Sequence, residues 1–149
     1  MADNGIAISF AVTVDMASVA KVSDFLDNCL EEYEIPMRVG YSLKVVADEI
    51  YSNIVHYSGA KNAEVLFANA QEQITLVFRD DGTPYNPLAA DTPDVTADLE
   101  DRQIGGLGMF MVKKMCQEVT YEYSDGKNQM TVVLSKTPVK KKLSLEDFD

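Results

Sequence analysis

Two polar residues interrupt the apolar run VVADEIYSNIVHYS, residues 45–58: an acid, Glu49, and an amide, Asn53. On a 3.6-residue repeat they share a stripe with Val45 and His56, beside an apolar stripe of Val46, Ile50, Ile54 and Tyr57. No basic residue lies between Val45 and Ala60, so Glu49 lacks a cation one turn along the helix. A carboxylate can take a proton from a hydroxyl, and an amide oxygen can hold a hard cation such as Mg²⁺. The same pair can also be a hydrogen-bonded couple at the edge of a core, and two residues alone do not decide.

Two loops carry further chemistry. In FRDDGTPYNPL, residues 78–88, an apolar strand ends at Asp80-Asp81, and Gly82, Pro84 and Pro87 stop both helix and sheet. An acid at a strand end can accept from the exocyclic amine of an adenine, and Gly82 allows close approach of the backbone to a flat ring. Taken alone, the stretch is equally a good turn. In RQIGGLGMFMVKKM, residues 102–115, Gly105, Gly106 and Gly108 open an apolar helix, where bare amides and the positive end of the dipole converge. That geometry suits an anion, or simply a flexible entry. No Lys-Ser/Thr follows, so this is not a Walker A loop, and the G-x-G-x-x-G pattern is absent.

Positioning these groups falls to a chain of 149 residues, enough for one domain burying roughly 70% of its unfolded surface. The hydrophobic fraction of 46% suits an ordinary core, and no run approaches the ~18 apolar residues of a membrane span. The N-terminus, MADNGIAISF, has no signal-peptide pattern, and Cys29 and Cys116 lie too far apart to suggest metal spacing. They read as small buried hydrophobes of a reducing, cytoplasmic compartment. A net charge of −11 opposes a nucleic-acid backbone, although a small phosphate ligand can still be neutralised by amides and a divalent cation.

Periodicity gives the order β-α-α-β-β-loop-α-β-β. A strand is predicted over 6–14, a helix after Asp15 or Ser18, and a second helix from Pro36 to about Tyr57. Two strands follow around a turn near 69–73, then a helix in LGMFMVKKMC and a hairpin turning at SDGKN. Consecutive hairpins with grouped helices predict an α+β fold, a mainly antiparallel sheet with helices on one face. Residues 1–137 are expected to form the domain, and 138–149 a loose tail. His56, the Met-rich MFMVKKM, and Lys113 with Lys114 read as structural, core-packing and solvated groups respectively.

In this order and spacing, Glu49–Asn53, Asp80-x-Gly82-x-Pro84 and Gly105-Gly106-x-Gly108 resemble the N, G1 and G2 boxes of the superfamily of gyrase, heat-shock chaperone, histidine kinase and mismatch-repair ATPases. DEIYSNIVHYS, DDGTPYNP and GGLGMFMVKKMCQEVTYEY are similar to the anti-sigma factor serine/threonine kinases of bacterial partner-switching systems, over roughly residues 6–136. The resemblance implies a two-layer α/β sandwich of the histidine-kinase-like ATPase (Bergerat) type, with ATP and Mg²⁺ as cofactors.

It further implies Glu49 as general base, Asn53 as the Mg²⁺ ligand, and Asp80 as the adenine acceptor with Gly82 and Pro84 shaping its turn. Gly105, Gly106, Leu107 and Gly108 would wrap the phosphates, and Thr131 would support Asp80. Residues 88–104 would form a lid, acidic except for Arg102, which could reach the γ-phosphate. Implied partners are a small STAS-type antagonist domain, a sigma factor or other regulator, and a second copy in a homodimer. Two functions stand: a kinase that phosphorylates the antagonist and sequesters the regulator, and a nucleotide-gated binding module that transfers no phosphate. A sensor histidine kinase fits less well, because no phosphoacceptor helix or sensor segment precedes the domain.

Overall fold

The computed structural model describes residues 6–89 and 104–137. Strand β1 (Ile6–Thr13) leads into helices α1 (Ser18–Glu32) and α2 (Met37–Asn53), and then into the hairpin of β2 (Asn62–Asn69) and β3 (Gln73–Asp80). Helix α3 (Ile104–Met115) precedes a second hairpin, β4 (Glu118–Ser124) and β5 (Lys127–Ser135). The strands lie in the order β1-β2-β3-β5-β4, and every pairing is antiparallel. The α+β sandwich expected from the pattern of elements is therefore present.

Alternation in the strands decides which face is covered. Ile74, Leu76, Phe78 and Asp80 of β3 are buried, and their neighbours are only half-buried. One face of the sheet thus packs on the helices. Phe67, Phe78, Leu26 and Leu43 are among the fully buried side chains that join the two layers. Burial of each such side chain contributes about 1.5–3 kcal/mol. Asp15 and Ser18 bond reciprocally at the entry to α1, Ser18 N–H donating to Asp15 Oδ1 at 2.8 Å and Asp15 N–H to Ser18 Oγ at 3.2 Å.

Helix α2 changes pitch at the point that matters most. After Asn53 its last turn, Ile54–Ser58, widens to π geometry and ends on Gly59 at φ 67°. Val46, Ile50 and Ile54 are buried as their stripe predicts, but Tyr57 is 46% exposed, because the wide turn rotates it away from the core. The turn also delivers the Ser58 carbonyl to the loop after β3. There it accepts from Thr83 N–H at 2.9 Å and from Thr83 Oγ1 at 3.2 Å.

Candidate functional site

The floor of the site is the C-terminal half of α2. Asn53 is 5% exposed, and Glu49, one turn earlier, is half-buried. Burial pushes the Glu49 carboxyl above the usual carboxylate range, the Asp48 charge adds to this, and the Asn53 amide opposes it. That amide acts as a nearby dipole rather than a full partner: Asn53 Nδ2 is buried and makes no hydrogen bond among the described residues. A buried amide with an unused end, facing a cleft, is suited to a polar ligand.

The second wall is the strand pair β3–β5, on which Asp80 and Asn128 stand opposite each other in register. Both are 4% exposed. Asp80 Oδ1 accepts from Gly82 N–H and from Asn128 Nδ2, each at 3.0 Å, while Oδ2 accepts nothing among the described residues. Oδ2 is thus the atom available to an exocyclic amine. The neighbouring Asp81 is committed elsewhere. Amides of Lys61 and Asn62 and the Asn62 side chain hold it, and these bonds lower its carboxyl to about 2.

Asn128 is the residue that sequence reasoning missed. Its Nδ2 donates to Asp80 and, at 2.8 Å, to the Thr83 carbonyl; its Oδ1 accepts from Tyr85 N–H at 2.9 Å and from the Tyr121 hydroxyl. The expected support, Thr131, lies opposite Val77 and Thr120, on the half-buried face away from Asp80. Strand parity is the reason: three residues separate Thr131 from Asn128, and an odd step reverses the face. A buried Asn beside the SDGKN turn, in register with the strand-end acid, was the available signal.

Gly82 has a packing role of its own. A Cβ there would lie 2.2 Å from the Ser58 carbonyl oxygen, so the missing side chain admits the turn that ends α2. Pro84 sits exposed in the same turn. Together these groups outline a cleft lined by Ile50, Ile54, Phe78 and Met130 and by Tyr85 and Pro87 of the loop after β3. Its free space is about 30 Å³, room for one water and too small for a purine as it stands. Tyr85 is tilted against Tyr57 with ring centres 5.9 Å apart, and burial raises its hydroxyl pKa, with Tyr57 and Glu49 adding to the rise.

The third wall is α3. The helix begins at Ile104, which puts Gly105, Gly106, Leu107 and Gly108 in its first turns, with the first amides lacking carbonyl partners inside the helix. A Cβ on Gly108 would lie 2.0 Å from the Glu49 carboxyl carbon. Glycine there is what lets the N-terminal end of α3 rest on Glu49. Arg102 and most of the segment expected as a lid, 88–104, lie outside the described residues. His56 and Lys113 are exposed, and Lys114 stands over the Phe110 ring at 5.3 Å. Met109 is buried, whereas Met111 is 48% exposed, so core packing accounts for only part of MFMVKKM.

A larger hollow, about 580 Å³, opens elsewhere on the sheet around Glu64, Glu122 and Asp125. Its Arg79 is engaged, by Glu64 at 3.3 Å and Gln129 at 2.6 Å, and although Asp80 borders it as well, Asn53 and Asn128 do not. The cleft between α2 and β3–β5, which Asn53, Asp80 and Asn128 line together, is therefore the candidate site, with α3 beside it at Glu49.

A family model for the histidine kinase-like ATPase domain matches residues 12–136. The chain belongs to that family. Membership implies ATP binding, and the three walls supply groups of the types such a ligand needs: a free acceptor at Asp80, an amide at Asn53, and helix-end amides on α3. Among curated proteins the chain is similar to the serine/threonine-protein kinase BtrW of Bordetella bronchiseptica, 26% identical over 105 residues, covering 68% of this chain and 74% of BtrW. Among solved structures it is similar to the RsbU and RsbW domains of a Mycobacterium tuberculosis protein, with a TM-score of 0.61 at 14% identity. That match covers 87% of this chain but only 33% of the other. It is also similar to the SiaB–SiaC complex of Pseudomonas aeruginosa, with a TM-score of 0.56 at 16% identity, covering 86% and 89% of the two chains. No helix among the described residues is long and apolar enough to cross a membrane.

Proposed function

We propose that this protein is an ATP-dependent protein serine/threonine kinase of the partner-switching type, transferring the γ-phosphoryl group to a small STAS-type antagonist domain. The observation that carries the reading is Glu49. It is a half-buried carboxylate with a raised pKa, one helical turn from a buried, unpartnered amide and in contact with a glycine at an anion-binding helix end. No cation pairs with it among the described residues. The likeness to the serine/threonine-protein kinase BtrW favours the same assignment.

In this reading Asp80 Oδ2 accepts from the adenine amino group, and Asn128 holds Asp80 at that angle. Asn53 would hold Mg²⁺ through its amide oxygen, and the cation would supply charge neutralisation for the phosphates. Its neutral amide fits a cation that keeps several waters, so no carboxylate cage is required. The amides of α3 cradle the phosphates. Glu49, about 6 Å along the helix from Asn53, accepts the proton of the attacking hydroxyl. Phosphoryl transfer asks the protein mainly for positioning, and a base whose pKa is raised toward neutrality is better matched to a hydroxyl.

Sequestration of a sigma factor or other regulator, homodimer formation and a cytoplasmic location belong to the same proposal, since they come with the partner-switching type. The alternative, a nucleotide-gated binding module, is supported by the likeness to a SiaB–SiaC complex, a pair of proteins rather than an enzyme alone. The deciding experiment is incubation with labelled ATP, Mg²⁺ and a panel of antagonist domains. Transfer to serine or threonine that Glu49→Gln abolishes supports the kinase. Nucleotide binding without transfer to any antagonist refutes it in favour of the module.

A further inference from the structure

The ridge of α2 that carries Glu49 and Asn53 does not begin with them. At the same spacing of four residues it starts as Met37, Tyr41 and Val45, of which Met37 is 89% and Tyr41 66% exposed. Helix α3 lies alongside and runs the opposite way. Gly108 abuts Glu49 at one end, and Lys114 and Met115 share a groove with Arg38 and Ser42 at the other. Phe110 and Met111, both exposed, fall between those two contacts. Scattered apolar side chains on a surface are ordinary, but here several adjoin on one two-helix ridge that runs into the candidate base.

We infer that this ridge docks the antagonist domain and aligns its hydroxyl with Glu49; the inference rests on the kinase reading and adds the surface that the substrate grips. A base selects no hydroxyl by itself, and contacts remote from the reacting atoms must hold the substrate in line. The ridge supplies such contacts in direct continuity with Glu49. Charge favours this occupant over a second copy of the chain. Arg38 and Lys114 stand at the end far from Glu49, and neither pairs with an acid among the described residues. Two chains of net charge −11 repel, whereas a partner whose acids are confined to one matching spot is steered to these cations. Near the base the ridge turns acidic, at Asp48 and Glu49, so the hydroxyl end of the partner is free of carboxylates. Eleven residues of helix separate Arg38 from Glu49, a span of about 17 Å. The partner therefore carries its acids about 17 Å from its phosphorylated hydroxyl, with apolar side chains between them to cover Tyr41, Val45 and Met111.

The test uses the full chain, labelled ATP, Mg²⁺ and the STAS-type domain that accepts phosphate in the panel above. Tyr41→Glu, and separately Arg38→Glu with Lys114→Glu, are expected to raise KM for that domain about tenfold, with kcat within about twofold, because they remove binding common to ground and transition states. ATP affinity and melting temperature should stay at wild-type values, since Tyr41 is exposed and none of the three residues lines the nucleotide cleft. Reversing the facing acids of the antagonist to lysine should restore KM with the Arg38→Glu and Lys114→Glu protein alone. Transfer by wild type with an unchanged KM in Tyr41→Glu overturns the docking surface and leaves the kinase reading standing. Absence of transfer from wild type to every domain removes that reading, and the docking surface with it. Sedimentation in which Tyr41→Glu splits a wild-type dimer, at constant KM, assigns the ridge to a second copy and overturns it as well.

Discussion

Glu49 and Gly108 share one space: the Glu49 carboxyl carbon lies 2.0 Å from where a Cβ on Gly108 would stand. A candidate base on α2 is thus in contact with the N-terminal end of α3. Gly108→Ala cannot be accommodated without displacing the carboxylate or α3, and overpacking of this kind costs about 1–3 kcal/mol. Chemical denaturation should show that loss in Gly108→Ala, and Glu49→Ala on top of it should recover most of it. Strictly additive effects would mean that the two residues do not touch.

Glu49→Gln separates stability from activity. A carboxyl whose pKa is raised on folding is easier to bury protonated, so its stabilising contribution is present below its unfolded value and lost as pH rises through the folded one. At neutral pH the ionised form therefore costs stability. The neutral Gln should melt slightly higher than wild type, retain ATP binding, and lose phosphoryl transfer by roughly 10² to 10⁴. In wild type, transfer should fall as pH drops through a value above the ordinary 4.5 of this group. A melting temperature below wild type with unchanged transfer would remove Glu49 from the base role.

Asn128 and Thr131 make a paired test of the adenine wall. Asn128→Ala strips support from Asp80, from the Thr83 carbonyl and from Tyr85 N–H at once, and each unsatisfied buried partner costs about 1–3 kcal/mol. Weakened binding of ATP and ADP alike is expected, together with a lower melting temperature. Thr131→Val, on the other face, should leave nucleotide affinity within about twofold, under ~0.5 kcal/mol. Equal effects of the two variants in calorimetry would contradict the register.

Much of this site was legible in the sequence because glycines, acids and periodicity each report a local constraint. Glu49–Asn53 broke an apolar stripe, and Gly105-Gly106-x-Gly108 marked a helix start, both of which depend only on near neighbours. What failed to show was long-range. The Asn128–Asp80 pairing needs the order β3-β5, which no local pattern contains. The packing role of Gly82 was hidden because nothing in DDGTP reveals that the α2 turn widens and brings Ser58 against it. Tyr57 left the core for the same reason: a one-residue change of pitch rotates everything after it.

That widened turn supplies the last prediction. Gly82→Ala would place a methyl group 2.2 Å from the Ser58 carbonyl oxygen and 2.8 Å from its carbon, both backbone atoms that cannot rotate away. The same carbonyl holds Thr83, and Gly82 N–H holds Asp80, so a shift of the loop disturbs the adenine acceptor as well as the fold. A loss of about 2–4 kcal/mol is expected, more than for Gly108→Ala, whose clash is with a side chain able to move. Pro84→Ala, exposed in the same turn, relaxes the loop without filling that space and should cost under about 1 kcal/mol. Denaturation curves for the three variants rank them. If Gly82→Ala proves no worse than Pro84→Ala, the close approach of Ser58 to the loop is wrong, and with it the reason given for the glycine.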